Sequence, residues 1–225
     1  MGLLEGKVAI VTGAGGGLGR AHALLLAEHG ACVVVNDLGG ARDGTGSSNS
    51  MADSVVDEIR AAGGQAAATY GSVTDDDAAK AMVQCAVDNF GRLDILINNA
   101  GILRDRSFKN MTDAEWDAVI DVHLRGSYLA TKHAWQQMLA QGEGGRIIMT
   151  SSTSGLIGNF GQANYGAAKA GVAGFMRVLA LEGMKYGITV NVLAPAALSR
   201  MTEDLMPDSE EVAVRMAPEK VSPTV

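Results

Sequence analysis

Six short apolar runs recur along the 225-residue chain: Lys7–Thr12, Cys32–Asn36, Ala66–Tyr70, Ile95–Asn98, Arg146–Thr150 and Thr189–Ala194. Longer segments with apolar residues at helical spacing separate them. Most of the runs are continuous rather than alternating, the pattern of strands covered on both sheet faces, and strands of that kind pair in parallel. Right-handed crossovers then give a single α/β layer structure, a Rossmann-type doubly wound parallel sheet with helices on both faces. The helix ends carry matching signals: Gly30 and Gly91 follow last apolar turns, and Thr112 with Glu115 forms a capping box. No Pro- or Ser-rich linker interrupts the rhythm, and the length suits one domain over residues 1–225.

Composition narrows the function. The chain has 18 basic against 25 acidic residues and a net charge of −7, with the basic residues scattered, so no footprint for a nucleic acid is present. The N-terminus lacks the charged and apolar regions of a leader, and no apolar run reaches the ~18 residues of a membrane span, so a cytoplasmic location without membrane partners is expected. Cys32 and Cys85 lie in apolar surroundings and read as reduced core thiols. Asp75, Asp76 and Asp77 open a helix, where their negative charge complements the macrodipole; no metal site is expected. Residues 39–50 form a polar, Gly-rich insertion that reads as a mobile loop beside whatever the strand ends bind.

Glycine is the outlier, at 29 residues. Five of them fall between Gly13 and Gly19, where the first strand turns directly into a helix. Such an elbow lets backbone N–H groups and a helix N-terminus approach a pyrophosphate. The spacing is GxxxGxG over Gly13, Gly17 and Gly19, so the generic GxGxxG fingerprint does not match. Asp37 ends the second strand, placed to accept hydrogen bonds from adenosine ribose hydroxyls and to repel a 2′-phosphate. No Arg or Lys lies within the elbow, which favours NAD over NADP. A methyltransferase using S-adenosylmethionine shares these two features and stays open at this point.

A later segment carries different chemistry. Tyr165 and Lys169 stand four residues apart on one helix face, and Ser152 precedes Tyr165 by thirteen residues at a strand end. A phenol titrating near 10 is a poor base, and an adjacent ammonium is expected to lower that value by favouring the phenolate. Ser152 is placed to hold the reacting oxygen.

Taken together, Thr12–Gly19, the Asn98-Asn99-Ala100-Gly101 segment, Ser152 and the YxxxK of Tyr165 and Lys169 resemble the short-chain dehydrogenase/reductase family over nearly the whole chain. The resemblance implies that Tyr165 is the general acid/base, that Lys169 lowers its pKa and binds the nicotinamide ribose, and that Ser152 orients substrate. It implies cofactor contacts at Gly13, Gly17, Leu18, Gly19, Asp37, Ser72, Val73 and Asn99, with Ser199 near the nicotinamide end, and a homodimer or homotetramer. The stretches Val35–Gly40, Ala100–Phe108, Val122–Ser127 and Gly158–Tyr165 look like a narrower branch, the dehydrogenase domains of type 2 peroxisomal multifunctional enzymes (17β-hydroxysteroid dehydrogenase type 4) and bacterial homologues. That branch implies a secondary alcohol on a 3-hydroxyacyl-CoA or a hydroxysteroid; an NADPH-dependent 3-oxoacyl reductase is the alternative.

The chain departs from the family pattern in three places. His123 stands in HLRG where many members have Asn in a proton relay, and it is either a relay member or a satisfied interior histidine. Pro195-Ala196 replaces the usual Pro-Gly. The family also commonly continues past the position of Val225 with a further strand and tail, which are expected to be missing here.

Overall fold

The computed structural model describes residues 2–197 and 214–225. The first half runs β1 (Val8–Thr12), α1 (Gly17–Glu28), β2 (Cys32–Asn36), α2 (Ser50–Ala61), β3 (Gln65–Thr69), α3 (Asp76–Phe90) and β4 (Ile95–Asn98). The second half runs α4 (Asp113–Ile120), a π-helical turn (Asp121–Arg125), α5 (Gly126–Gln141), β5 (Gly145–Thr150), the short α6 (Thr153–Leu156), α7 (Ala163–Gly183) and β6 (Ile188–Leu193). All six strands are parallel, in the order β3-β2-β1-β4-β5-β6. Each predicted strand is present, with its ends displaced by no more than one residue.

Two apolar layers explain why these strands are apolar throughout. One face packs Val33, Val35 and Ile97 against Leu26 of α1 and Val55, Val56 and Ile59 of α2. The other packs Ile10, Leu96 and Ile147 against Met82 of α3, Met138 of α5 and Val172 of α7. A fully buried side chain of this size contributes roughly 1.5–3 kcal/mol, so a polar residue on either face of a central strand would be severely destabilising. The predicted capping box is formed, with Thr112 Oγ1 accepting from Glu115 N at 3.2 Å and Glu115 Oε2 accepting from Thr112 N at 2.9 Å. Asp75 caps α3 by accepting from Ala78 N at 3.0 Å, and Asp76 receives Lys132 Nζ at 3.0 Å. The acidic trio therefore contributes a cap and a tie to α5.

Strand order reverses between β1 and β4. That switch point opens a crevice beyond the carboxyl ends of the two strands, where open α/β sheets bind ligands. Residues 214–225 return across α1: His22 Nδ1 and Ser222 Oγ share a buried 2.8 Å hydrogen bond, and Val225 packs on the α1/α2 side of the core.

Candidate active site

The crevice begins at the elbow after β1. Gly13 (φ 63°) and Gly17 (φ 52°) adopt the left-handed conformation that favours glycine. A Cβ on Gly13 would stand 2.7 Å from Ala100 Cα, so the elbow can be this tight only without a side chain. Asn99 fixes it to β4, donating from Nδ2 to the carbonyls of Thr12 (2.9 Å) and Gly13 (3.0 Å). Thr12 Oγ1 in turn accepts from the amides of Asn99 (3.0 Å) and Ala100 (3.1 Å). Gly16, before α1, supplies no side-chain cap, which leaves the amides of the first helical turn available for a phosphate.

Beyond the elbow lies a cleft of about 390 Å³, within the range of small-molecule and cofactor sites. Of the residues predicted to touch a cofactor, Gly13, Gly17, Leu18, Asp37, Ser72, Val73 and Asn99 line it. Gly19, Tyr165 and Lys169 do not line it: Gly19 lies beneath the elbow, where a Cβ would stand 2.2 Å from Gly13 O, and packs α1 close under the turn. Ser199 lies outside the described residues. The Asp37 carboxylate accepts from Gly15 N at 2.7 Å and from Gly39 N at 2.6 Å, which holds it at the cleft edge with lone pairs to spare.

The insertion after β2 is a strap rather than a free loop. Leu103 N donates to Arg42 O at 3.0 Å and Arg104 Nε to Asp43 O at 2.9 Å, joining it to the segment after β4. Gly40, Ala41, Arg42 and Gly44 thereby enter the cleft wall, as does Arg104. These two arginines were missed from sequence; some sixty residues separate them, and only the strap's path brings them to one cavity.

Ser152, Tyr165 and Lys169 come together on the far side. Ser152 caps α6, its Oγ accepting from Ser154 N at 3.2 Å, which leaves the hydroxyl hydrogen for another acceptor. Tyr165 occupies the first turn of α7 and packs in a cluster with Ile102, Ala118 and Val122, residues that also line the cleft. Lys169 is buried; its Nζ donates to Thr150 O at 2.6 Å and stands 5.5 Å from the centroid of the Tyr165 ring. Burial dominates the electrostatics of this pair. Burial pushes the Tyr165 phenol above its ordinary value, the Ser152 hydroxyl pulls it down and the Asp105 carboxylate pushes it further up. Burial also lowers Lys169 to about 7, so it opposes charge on both members of the pair.

His123 sits in the π turn at 1% exposure, its ring edge-to-face with Tyr165 at 5.1 Å between centroids. Nε2 is 2.8 Å from Ile102 O and 3.1 Å from Ile102 N, and the tautomer decides which bond forms. Burial holds the imidazole neutral, and among the described residues Nδ1 has no hydrogen-bond partner. Gly101 makes room for it, since a Cβ there would stand 2.4 Å from His123 Cε1. The histidine is interior, and only one of its two nitrogens is satisfied.

The profile of the short chain dehydrogenases matches residues 7–211. The chain belongs to the short-chain dehydrogenase/reductase family. A crystal structure of a short chain dehydrogenase from Mycobacterium avium superposes with a TM-score of 0.86 at 52% identity, covering 99% of this chain and 77% of that one. Peroxisomal multifunctional enzyme type 2 of Mus musculus is 54% identical over 98% of this chain, which spans 29% of the mouse protein's length. Hydroxyacyl-CoA dehydrogenase ChsB1 of Mycobacterium tuberculosis is 47% identical, covering 93% of this chain and 67% of that one. The resemblance read from the motifs, including the branch, is thus borne out. As a short-chain dehydrogenase/reductase the chain is an oxidoreductase with a nicotinamide cofactor, and the methyltransferase alternative falls away. No helix among the described residues is long and apolar enough to cross a membrane.

Proposed function

We propose that this is an NAD-dependent dehydrogenase interconverting a secondary alcohol and a ketone on a 3-hydroxyacyl-CoA or a hydroxysteroid, with residues 1–225 forming one cofactor-binding domain. The reading rests on the Ser152–Tyr165–Lys169 cluster set against the wall of a glycine-built cleft. The nicotinamide, when bound, takes or gives the hydride. Tyr165 takes or gives the hydroxyl proton, Ser152 donates a hydrogen bond that holds the reacting oxygen, and Lys169 supplies positive charge beside the phenol. Gly13, Gly17, Leu18, Ser72, Val73 and Asn99 would hold the dinucleotide, with Asp37 on its adenosine ribose.

Asp37 supports NAD, because a 2′-phosphate would meet a carboxylate held in place by two backbone amides. Two arginines favour a second reading, NADPH-dependent reduction of a 3-oxoacyl group, since Arg42 of the strap and Arg104 after β4 line the same cleft. A bulky apolar substrate is supported by the side chains before and after the catalytic residues: Phe108 (77% exposed), Ile157 (87%) and Phe160 (91%) stand on the surface, together with Leu156. The names of the mouse and mycobacterial relatives point the same way. Exposed Tyr128 and Leu139 on α5, with Val178 and Leu181 on α7, support a homodimer or homotetramer through those helices. The two free cysteines suit a reducing compartment such as the cytoplasm.

A panel of 3-hydroxyacyl-CoA chain lengths and hydroxysteroids, followed by NADH absorbance, tests the reading. Turnover with NAD at a kcat/KM at least tenfold above that with NADP is expected, and Asp37→Ala should narrow that ratio. A wild-type preference for NADPH would replace the first reading with the second.

A further inference from the structure

Asp105 lies in the loop after β4. Its Oδ2 accepts from Gln162 Nε2 at 2.7 Å. Gln162 is the buried residue preceding α7, one turn ahead of Tyr165, and its Oε1 accepts from Ser154 Oγ at 2.6 Å. Ser154 is the residue whose amide binds Ser152 Oγ. The chain Asp105–Gln162–Ser154 therefore reaches both catalytic segments. Two further bonds close the same seam: Arg106 N donates to Gly161 O at 2.8 Å, and Asn164 Nδ2 to Arg104 O at 3.1 Å.

We propose that Asp105 is a positioning residue for Tyr165: its carboxylate, bonded to Gln162 one turn ahead of the phenol, fastens the start of α7 to the loop after β4. The proposal rests on the reading of Tyr165 as the acid/base group. The other groups around the phenol leave this role to Asp105. Lys169, on α7, is turned to the Thr150 carbonyl, and His123, from the π turn, to the Ile102 backbone. Glu115 of α4 is engaged by Arg106 and Thr112, and Arg104 donates to the strap.

Asp105→Asn keeps an oxygen for Gln162 and removes the charge; Asp105→Ala removes both. The measurement is the kcat/KM profile of the full chain for NAD with the best alcohol of the panel. Asp105→Ala should lower its plateau, and Asp105→Asn should keep the wild-type plateau. A wild-type plateau in folded Asp105→Ala, or a plateau in folded Asp105→Asn as low as in Asp105→Ala, overturns the proposal. Activity persisting in Tyr165→Phe would instead overturn the reading beneath it.

Discussion

The cleft at the β1 elbow and the cluster on α7 are built from opposite materials. In the cleft, glycines clear the space, the side chains of Asn99 and Thr12 lock the turn to backbone groups, and the Asp37 carboxylate is oriented by two amides. In the catalytic half the side chains matter, and burial opposes their charged forms, with Lys169 lowered to about 7 and Tyr165 raised. The cleft is thus set by packing and hydrogen bonds, whereas in the α7 cluster burial works against charge on both Tyr165 and Lys169.

The sharpest way to separate the halves is Lys169→Met. It should lower kcat/KM by about 10³-fold while raising the melting temperature at neutral pH by a few degrees, because a buried amine is replaced by an apolar side chain. The sign follows from linkage. Lys169 titrates near 10.5 when unfolded and about 7 when folded, so between those values the unfolded state holds the extra proton and stability rises with pH. Thermal unfolding across that window should show a flatter slope in the variant; an unchanged slope would contradict the buried amine.

Gly19→Ala strikes the other half. Its Cβ would meet Gly13 O at 2.2 Å, so the elbow must move. NAD binding should weaken by about 100-fold in an isothermal titration, with a fall of roughly 5 °C in melting temperature. Wild-type affinity would mean that the tight turn is not what binds the dinucleotide.

His123→Ala should have a smaller catalytic effect, a loss of kcat under ~100-fold, because the imidazole is neutral and packs beside Tyr165 without reaching the cleft. A larger loss with the fold intact would make His123 part of the proton path. The smallest effect belongs to His22, far from the chemistry. Burial lowers it to about 4, so the folded state refuses a proton that the unfolded state takes below 6.5. Stability should fall as pH drops from 6.5 towards 4, and His22→Gln should lessen that fall in acid unfolding measurements.

Most of the fold was legible because its signals are local. Continuous apolar runs name the strands, and Gly91 or Thr112 with Glu115 name helix ends. The elbow was legible for the same reason, since tight backbone has only one residue type to draw on. What escaped depends on contacts between distant segments. The strap looked like a loose loop because Arg104, its hydrogen-bond donor, lies beyond two further strands. The depth of Lys169 was not legible, because YxxxK spacing says nothing about burial and the Thr150 carbonyl that receives it belongs to another element. Gly19 matched the motif yet serves packing, a distinction that spacing alone does not carry.

The most direct test of the two-part account is Tyr165→Phe examined for NAD binding and for turnover in one preparation. Removing one hydroxyl from the catalytic half should leave the dissociation constant for NAD within about threefold of wild type and abolish alcohol oxidation. Near-normal turnover, or loss of NAD binding along with activity, would contradict it.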